Sequence, residues 1–139
     1  MVALIGAGQF GETFIRQCRR ISGMQISFVC DLQPERARAA LLAAGYDNSA
    51  FVSVGSNEEA ATALNNGQII ITADYRLISG LPLDCVVEAT GSPEAAAQVG
   101  QITLMSGFHL VMITKEADIV VGPYLHKLAK ATGRHVTPA

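Results

Sequence analysis

The chain has 139 residues, half of them apolar and 16% charged, which suffices for one domain with its own core. A formal net charge of -2 argues against a broad nucleic-acid surface, and no apolar run approaches the roughly 20 residues of a membrane-spanning helix. Nothing ahead of Val2 reads as a signal peptide, and Cys18, Cys30 and Cys85 form no CxxC pair, so buried free thiols in a reducing cytoplasm are expected.

Val2–Ile5, wholly apolar, is a short first strand. Phe10, Phe14, Cys18 and Ile21 recur at helical spacing and predict one buried helix face. "MQISFVCD" is the second strand, and Pro34 opens a helix in "PERARAALLAAG" that Gly45 closes. Gly45–Gly55 reads as a loose connection. In "GSNEEAATALNNG", Ser56 and Glu59 stand at capping-box spacing before an alanine-rich helix ending at Gly67. "QIIIT" and "LDCVVEAT" are the third and fourth strands. "SPEAAAQVGQITLMSG" begins with Ser92 as N-cap and Pro93 at the first helical position. "FHLVMIT" is the fifth strand, "VGPYLHKLAKATG" the last helix, and "RHVTPA" starts a sixth strand. Lys127, Lys130, Arg134 and His135 gather where that helix ends, and cations there offset the helix dipole. Strands this apolar, alternating with helices, predict an α/β fold: a doubly wound, mostly parallel sheet with helices on both faces. Residues 1–139 read as a single domain.

Gly6, Gly8 and Gly11 make the spacing GxGxxG directly after a strand and before a helix, and this context points to a dinucleotide-binding (Rossmann) loop. Gly6 allows the turn out of the strand, Gly8 lets a pyrophosphate approach the backbone, and Gly11 lets the helix pack on the sheet. The amides of Gln9 and Phe10, at the positive end of the helix dipole, are candidate phosphate donors. Asp31 follows Gly11 by 20 residues, at the end of the second strand, where a carboxylate would accept from a ribose 2′-hydroxyl. It would repel a 2′-phosphate and so favours NAD. Arg36 and Arg38, on the next helix, keep NADP open.

The fourth and fifth strands end on the same edge of such a sheet. There Ala89, Thr90, Gly91 and Ser92 would shape the nicotinamide side, with Ser92 also able simply to cap its own helix. Glu88, in an apolar strand, is expected to anchor backbone or ribose hydroxyls, because an isolated buried charge is costly. Thr114 and Lys115 end the fifth strand, and Lys115 could hold a substrate carboxylate, carbonyl or phosphate. His109 falls toward the opposite edge and His126 within a helix. No histidine is spaced for metal ligation, and no nucleophile–His–acid set is visible.

"VALIGAGQFG", "VVEATGSPEAA" and "HLVMITKEADIVVGPYLHKLAKATG" together resemble the nucleotide-binding domain of homoserine dehydrogenases over nearly the whole chain. The similarity extends to homoserine-dehydrogenase-like oxidoreductases with a C-terminal SAF-type domain, a group that includes a second type of deoxyxylulose-phosphate reductoisomerase. The resemblance implies an NAD(P)-dependent oxidoreductase acting on a small polar alcohol or carbonyl. It assigns Lys115 to the substrate and nicotinamide site, where that family carries Asn-Lys and this chain Thr114-Lys115. The family's other catalytic groups and its dimerisation sheet lie in a substrate domain beyond the sixth strand. The chain is therefore expected to be the N-terminal part of a longer, homo-oligomeric enzyme and inactive by itself. A stand-alone dinucleotide-sensing module is the alternative.

Overall fold

Parallel strands covered on both faces carry apolar side chains at successive positions, and three of the strands here are buried at every residue. The computed structural model describes Met1–Ala139. Its strands are β1 (Val2–Ile5), β2 (Ile26–Cys30), β3 (Phe51–Ser53), β4 (Ile69–Thr72), β5 (Cys85–Glu88), β6 (His109–Met112) and β7 (Val136–Thr137). The helices are α1 (Gln9–Cys18), α2 (Pro34–Ala43), α3 (Asn57–Asn65), α4 (Pro93–Met105) and α5 (Lys115–Thr132), with 3-10 turns at Asn48–Ala50 and Tyr75–Gly80. All strand pairs are parallel, in the order β3-β4-β2-β1-β5-β6-β7.

Alternate side chains go to opposite faces. Ala3, Ile5, Phe28, Cys30, Ile70 and Val86 pack under α3, the Tyr75–Gly80 turn and α4. Val2, Leu4, Val29, Ile69, Ile71 and Val87 pack under α1 and α2 with Ile15, Cys18 and Leu41. A smaller core joins α4 and α5 to β6 through Leu104, Leu110, Met112 and Leu125.

Three expectations need correction. The connection after Gly45 contains β3, a seventh strand whose Phe51 alone is buried, at the sheet's edge. Helix α1 buries Gly11, Ile15 and Cys18 rather than the Phe10–Phe14–Cys18–Ile21 stripe. Phe10 is 43% exposed, Phe14 is half-buried, and Ile21 lies beyond the helix and is 51% exposed. The last helix starts at Lys115, not Val121, and runs through Pro123. Its first two turns carry exposed Ile119 and Val120, so no apolar stripe marks them.

Cys18 and Cys30 are buried free thiols, while Cys85 is only half-buried. Of the basic cluster, Lys127 and Lys130 lie on α5, whereas Arg134 and His135 follow its C-cap, Gly133. His109 opens β6, and its Nδ1 accepts the His135 N–H at 3.0 Å, tying β7 to β6 on the edge away from the glycine loop. No helix is long and apolar enough to cross a membrane.

Candidate functional site

Strand order reverses at β1 and β5: β2, β3 and β4 all lie on one side of β1, with β4 inserted between β2 and the edge strand β3, and the chain then returns to place β5 on the other side of β1. Beyond the carboxyl ends of these two strands lies the crevice where doubly wound sheets bind ligands. The loops leaving them touch. Gly6 has φ +107°, and a Cβ there would lie 2.3 Å from the Ala89 carbonyl oxygen, so this close approach requires glycine. Gly11 faces a second contact, its Cβ position being 2.2 Å from the Gly6 carbonyl oxygen. Gly8 differs from both: a Cβ on it would meet nothing within 4 Å.

Gly8 is the N-cap of α1 and offers no side-chain cap. The amides that open the helix, from Gln9 onward, have no carbonyl one turn back to bond, and the dipole adds positive potential. Open space over uncapped amides is the cradle that a pyrophosphate requires.

Asp31, at the end of β2, takes hold of this loop. Its Oδ2 accepts the Ala7 N–H at 2.9 Å and its Oδ1 accepts the Gln33 N–H at 2.8 Å. A carboxylate oxygen accepts about two hydrogen bonds, so capacity remains for a ligand hydroxyl. A cleft of about 280 Å³ opens beside it, lined by Gly6, Asp31, Arg36, Thr90 and Ser92 among the expected residues. Ile5, Cys30, Leu32, Gln33, Ala73, Tyr75 and Ala95 complete the lining. The two arginines separate. Arg36 faces the cleft, whereas Arg38 pairs with Glu35 at 3.5 Å, bonds Ser53 and lies over the Phe51 ring.

Burial, reinforced by the Asp31 and Asp74 carboxylates, pushes the Cys30 thiol up to about 12, so it is a protonated floor to the cleft and no nucleophile. Asp74 is held below its ordinary value chiefly by the hydrogen bond from Arg76, 2.8 Å away, which braces the turn carrying Tyr75. The Tyr75 hydroxyl donates to Gln98 of α4 at 2.8 Å and closes that wall.

Across the rim, Glu88 is fully buried. Its Oε1 accepts the Thr90 N–H at 2.7 Å, the Thr90 hydroxyl at 2.8 Å and the Thr114 hydroxyl at 2.7 Å. Its Oε2 accepts the Thr114 N–H at 3.3 Å. The anchoring of backbone expected of Glu88 is therefore present. Ser92 caps α4 through the Ala95 N–H at 3.4 Å while also lining the cleft.

Gly8, Gln9, Phe10, Gly91 and Lys115 are exposed around the crevice without lining the cleft, Ala89 is half-buried, and Gly11 is buried beneath the loop. Lys115 is the first residue of α5. Leu32, 90% exposed, and Tyr75 also line the cleft, and no motif singles them out in the sequence. Both stand just past the carboxyl ends of strands, and that rule applied to every strand would have found them.

In structure the chain is similar to a homoserine dehydrogenase from Thiobacillus denitrificans, with 20% identity, a TM-score of 0.73, and coverage of 99% of this chain and 28% of that one. An oxidoreductase from Agrobacterium radiobacter in complex with NAD+, L-tartaric acid and magnesium matches with 14% identity and a TM-score of 0.73, over 99% of this chain and 34% of that one. An NAD binding oxidoreductase from Klebsiella pneumoniae matches with 15% identity and a TM-score of 0.66, over 98% and 33%. These likenesses show a shared Rossmann fold, and the chain spans about a third of the length of such structures. No curated protein matches it in sequence. The homoserine dehydrogenase NAD-binding domain matches residues 6–138, and the chain belongs to that family.

Proposed function

We propose that the chain is the cofactor-holding part of an NAD(P)-dependent oxidoreductase acting on a small polar alcohol or carbonyl compound. The observation that carries this reading is the open space at Gly8 over the uncapped start of α1, framed by two glycines that packing requires. The amides of Gln9 and Phe10 hold the pyrophosphate, and Gly6 and Gly11 set the loop at the right height. Asp31 accepts from the adenosine ribose, while Leu32 and Tyr75 offer apolar surface to the adenine. Arg36 sits where a ribose substituent would reach it. Ala89, Thr90, Gly91 and Ser92 form the nicotinamide side, and Lys115 makes the electrostatic contact with substrate.

The nicotinamide, when bound, supplies the hydride chemistry; the protein positions it and excludes alternatives. NAD is favoured over NADP because the Asp31 carboxylate, fixed at the end of β2 by two backbone amides, would accept from a ribose hydroxyl and repel a 2′-phosphate. The chain spans about a third of the length of such structures, and the substrate-binding groups other than Lys115 are assigned to the remainder, so the chain alone is expected not to turn over.

Titration with NADH and NADPH, followed by nicotinamide fluorescence, tests the reading. Saturable binding with NADH the tighter ligand is expected. Binding of neither would end the proposal, and preference for NADPH would show that Arg36 outweighs Asp31.

A further inference from the structure

Glu88 has no place in the coenzyme contacts above, yet it is fully buried and joins none of the ion pairs. Two loops hang on its carboxylate. One follows β5 and carries Thr90 and Gly91; the other follows β6 and carries Thr114, next to Lys115 at the start of α5. Thr114 closes the circuit, because its hydroxyl donates to Glu88 and accepts the Gly91 N–H at 3.1 Å. That hydroxyl is thereby withheld from capping α5, for which Thr114 is the N-cap. Two amides and two hydroxyls hold the carboxylate, three of them on Oε1 and the Thr114 N–H on Oε2.

We propose that Glu88 is a positioning residue that locks the two loops into one rim, setting Gly91 and Lys115 at a fixed separation across the nicotinamide. The inference rests on the reading of this rim as the nicotinamide side. Its consequence is selective: Gly91 and Lys115 lie outside the cleft of Asp31, Arg36 and Tyr75, which the lock reaches only through Thr90, so the adenosine half of the ligand depends little on it.

Glu88→Gln preserves the oxygen that receives three hydrogen bonds but turns an NH2 group toward the Thr114 N–H. Two ligands separate the effects: NADH or NADPH, whichever the wild-type chain binds more tightly, and ADP-ribose, which lacks the nicotinamide. Glu88→Gln is expected to weaken the coenzyme about tenfold and to change ADP-ribose affinity by less than about twofold. Equal losses for both ligands, or none for either, would overturn the proposal. Where Glu88→Gln fails to fold by circular dichroism, Thr114→Val and Thr114→Ser replace it. The valine should reproduce the coenzyme-selective loss and the serine should not, and equal coenzyme affinity in the two would overturn the lock. A wild-type chain that binds neither ligand refutes the dinucleotide reading itself. Intact binding with an unselective Glu88→Gln refutes the lock alone.

Discussion

Gly6, Gly8 and Gly11 share one motif but answer to different constraints. Gly6→Ala would force a side chain at φ +107° against the Ala89 carbonyl and is expected to destabilise the fold by about 3 kcal/mol, read by urea unfolding. Gly8→Val meets open space instead, so its unfolding free energy should stay within about 1 kcal/mol of wild type. Its NADH binding should vanish. Wild-type affinity in Gly8→Val would mean that the space above α1 is not the phosphate site. Cys30 provides a residue-level test of the cleft floor. The folded thiol titrates near 12 against an ordinary 9.0, so the unfolded chain releases this proton first. The thiol's contribution is whole below about pH 9 and declines as pH rises toward 12. Wild-type protein should therefore lose more unfolding free energy between about pH 8 and about pH 10.5 than Cys30→Ala does. Parallel losses in the two proteins would contradict the burial of Cys30.

At the scale of elements, the helix starts divide by what finishes them. Ser56 caps α3 by accepting the Glu59 N–H at 3.2 Å, and Glu59 reaches back to the Gly55 N–H, one residue before the amide of an ideal capping box. Ser92 caps α4, whereas α1 and α5 have no side-chain cap. Ser56→Ala and Ser92→Ala should each cost about 1 kcal/mol in thermal or urea unfolding. Only Ser92→Ala, at the cleft, should also weaken NADH, and an equal effect from Ser56→Ala would place the ligand elsewhere. Central strands and capped helices were readable in the sequence because burial on two faces demands unbroken apolar runs and caps demand particular side chains. β3 was not, since three residues with one buried side chain leave no period to detect. The start of α5 was hidden for the opposite reason, its exposed Ile119 and Val120 contradicting an amphipathic pattern.

For the whole molecule, the doubly wound pattern puts Ala89–Ser92 on the rim opposite the glycine loop, but the contacts between the two are not legible in the sequence. The GxGxxG spacing and Asp31 point to a dinucleotide loop, but only the strand order shows Ala89 lying against Gly6 and Thr114 bonded to Gly91 across 23 residues. The same holds for the arginines, equivalent on paper, of which β3 engages Arg38 and leaves Arg36 to the cleft. The fold brings its two halves together at one crevice, and the central claim is that the first turn of α1 holds the dinucleotide's phosphates there. Amide NMR of the chain titrated with NAD+ measures this most directly. The account expects the largest chemical-shift changes at the amides of Gly8, Gln9, Phe10 and Gly11, with smaller ones at Asp31 and Gly91. Saturable binding that leaves the amides of α1 unmoved would contradict it.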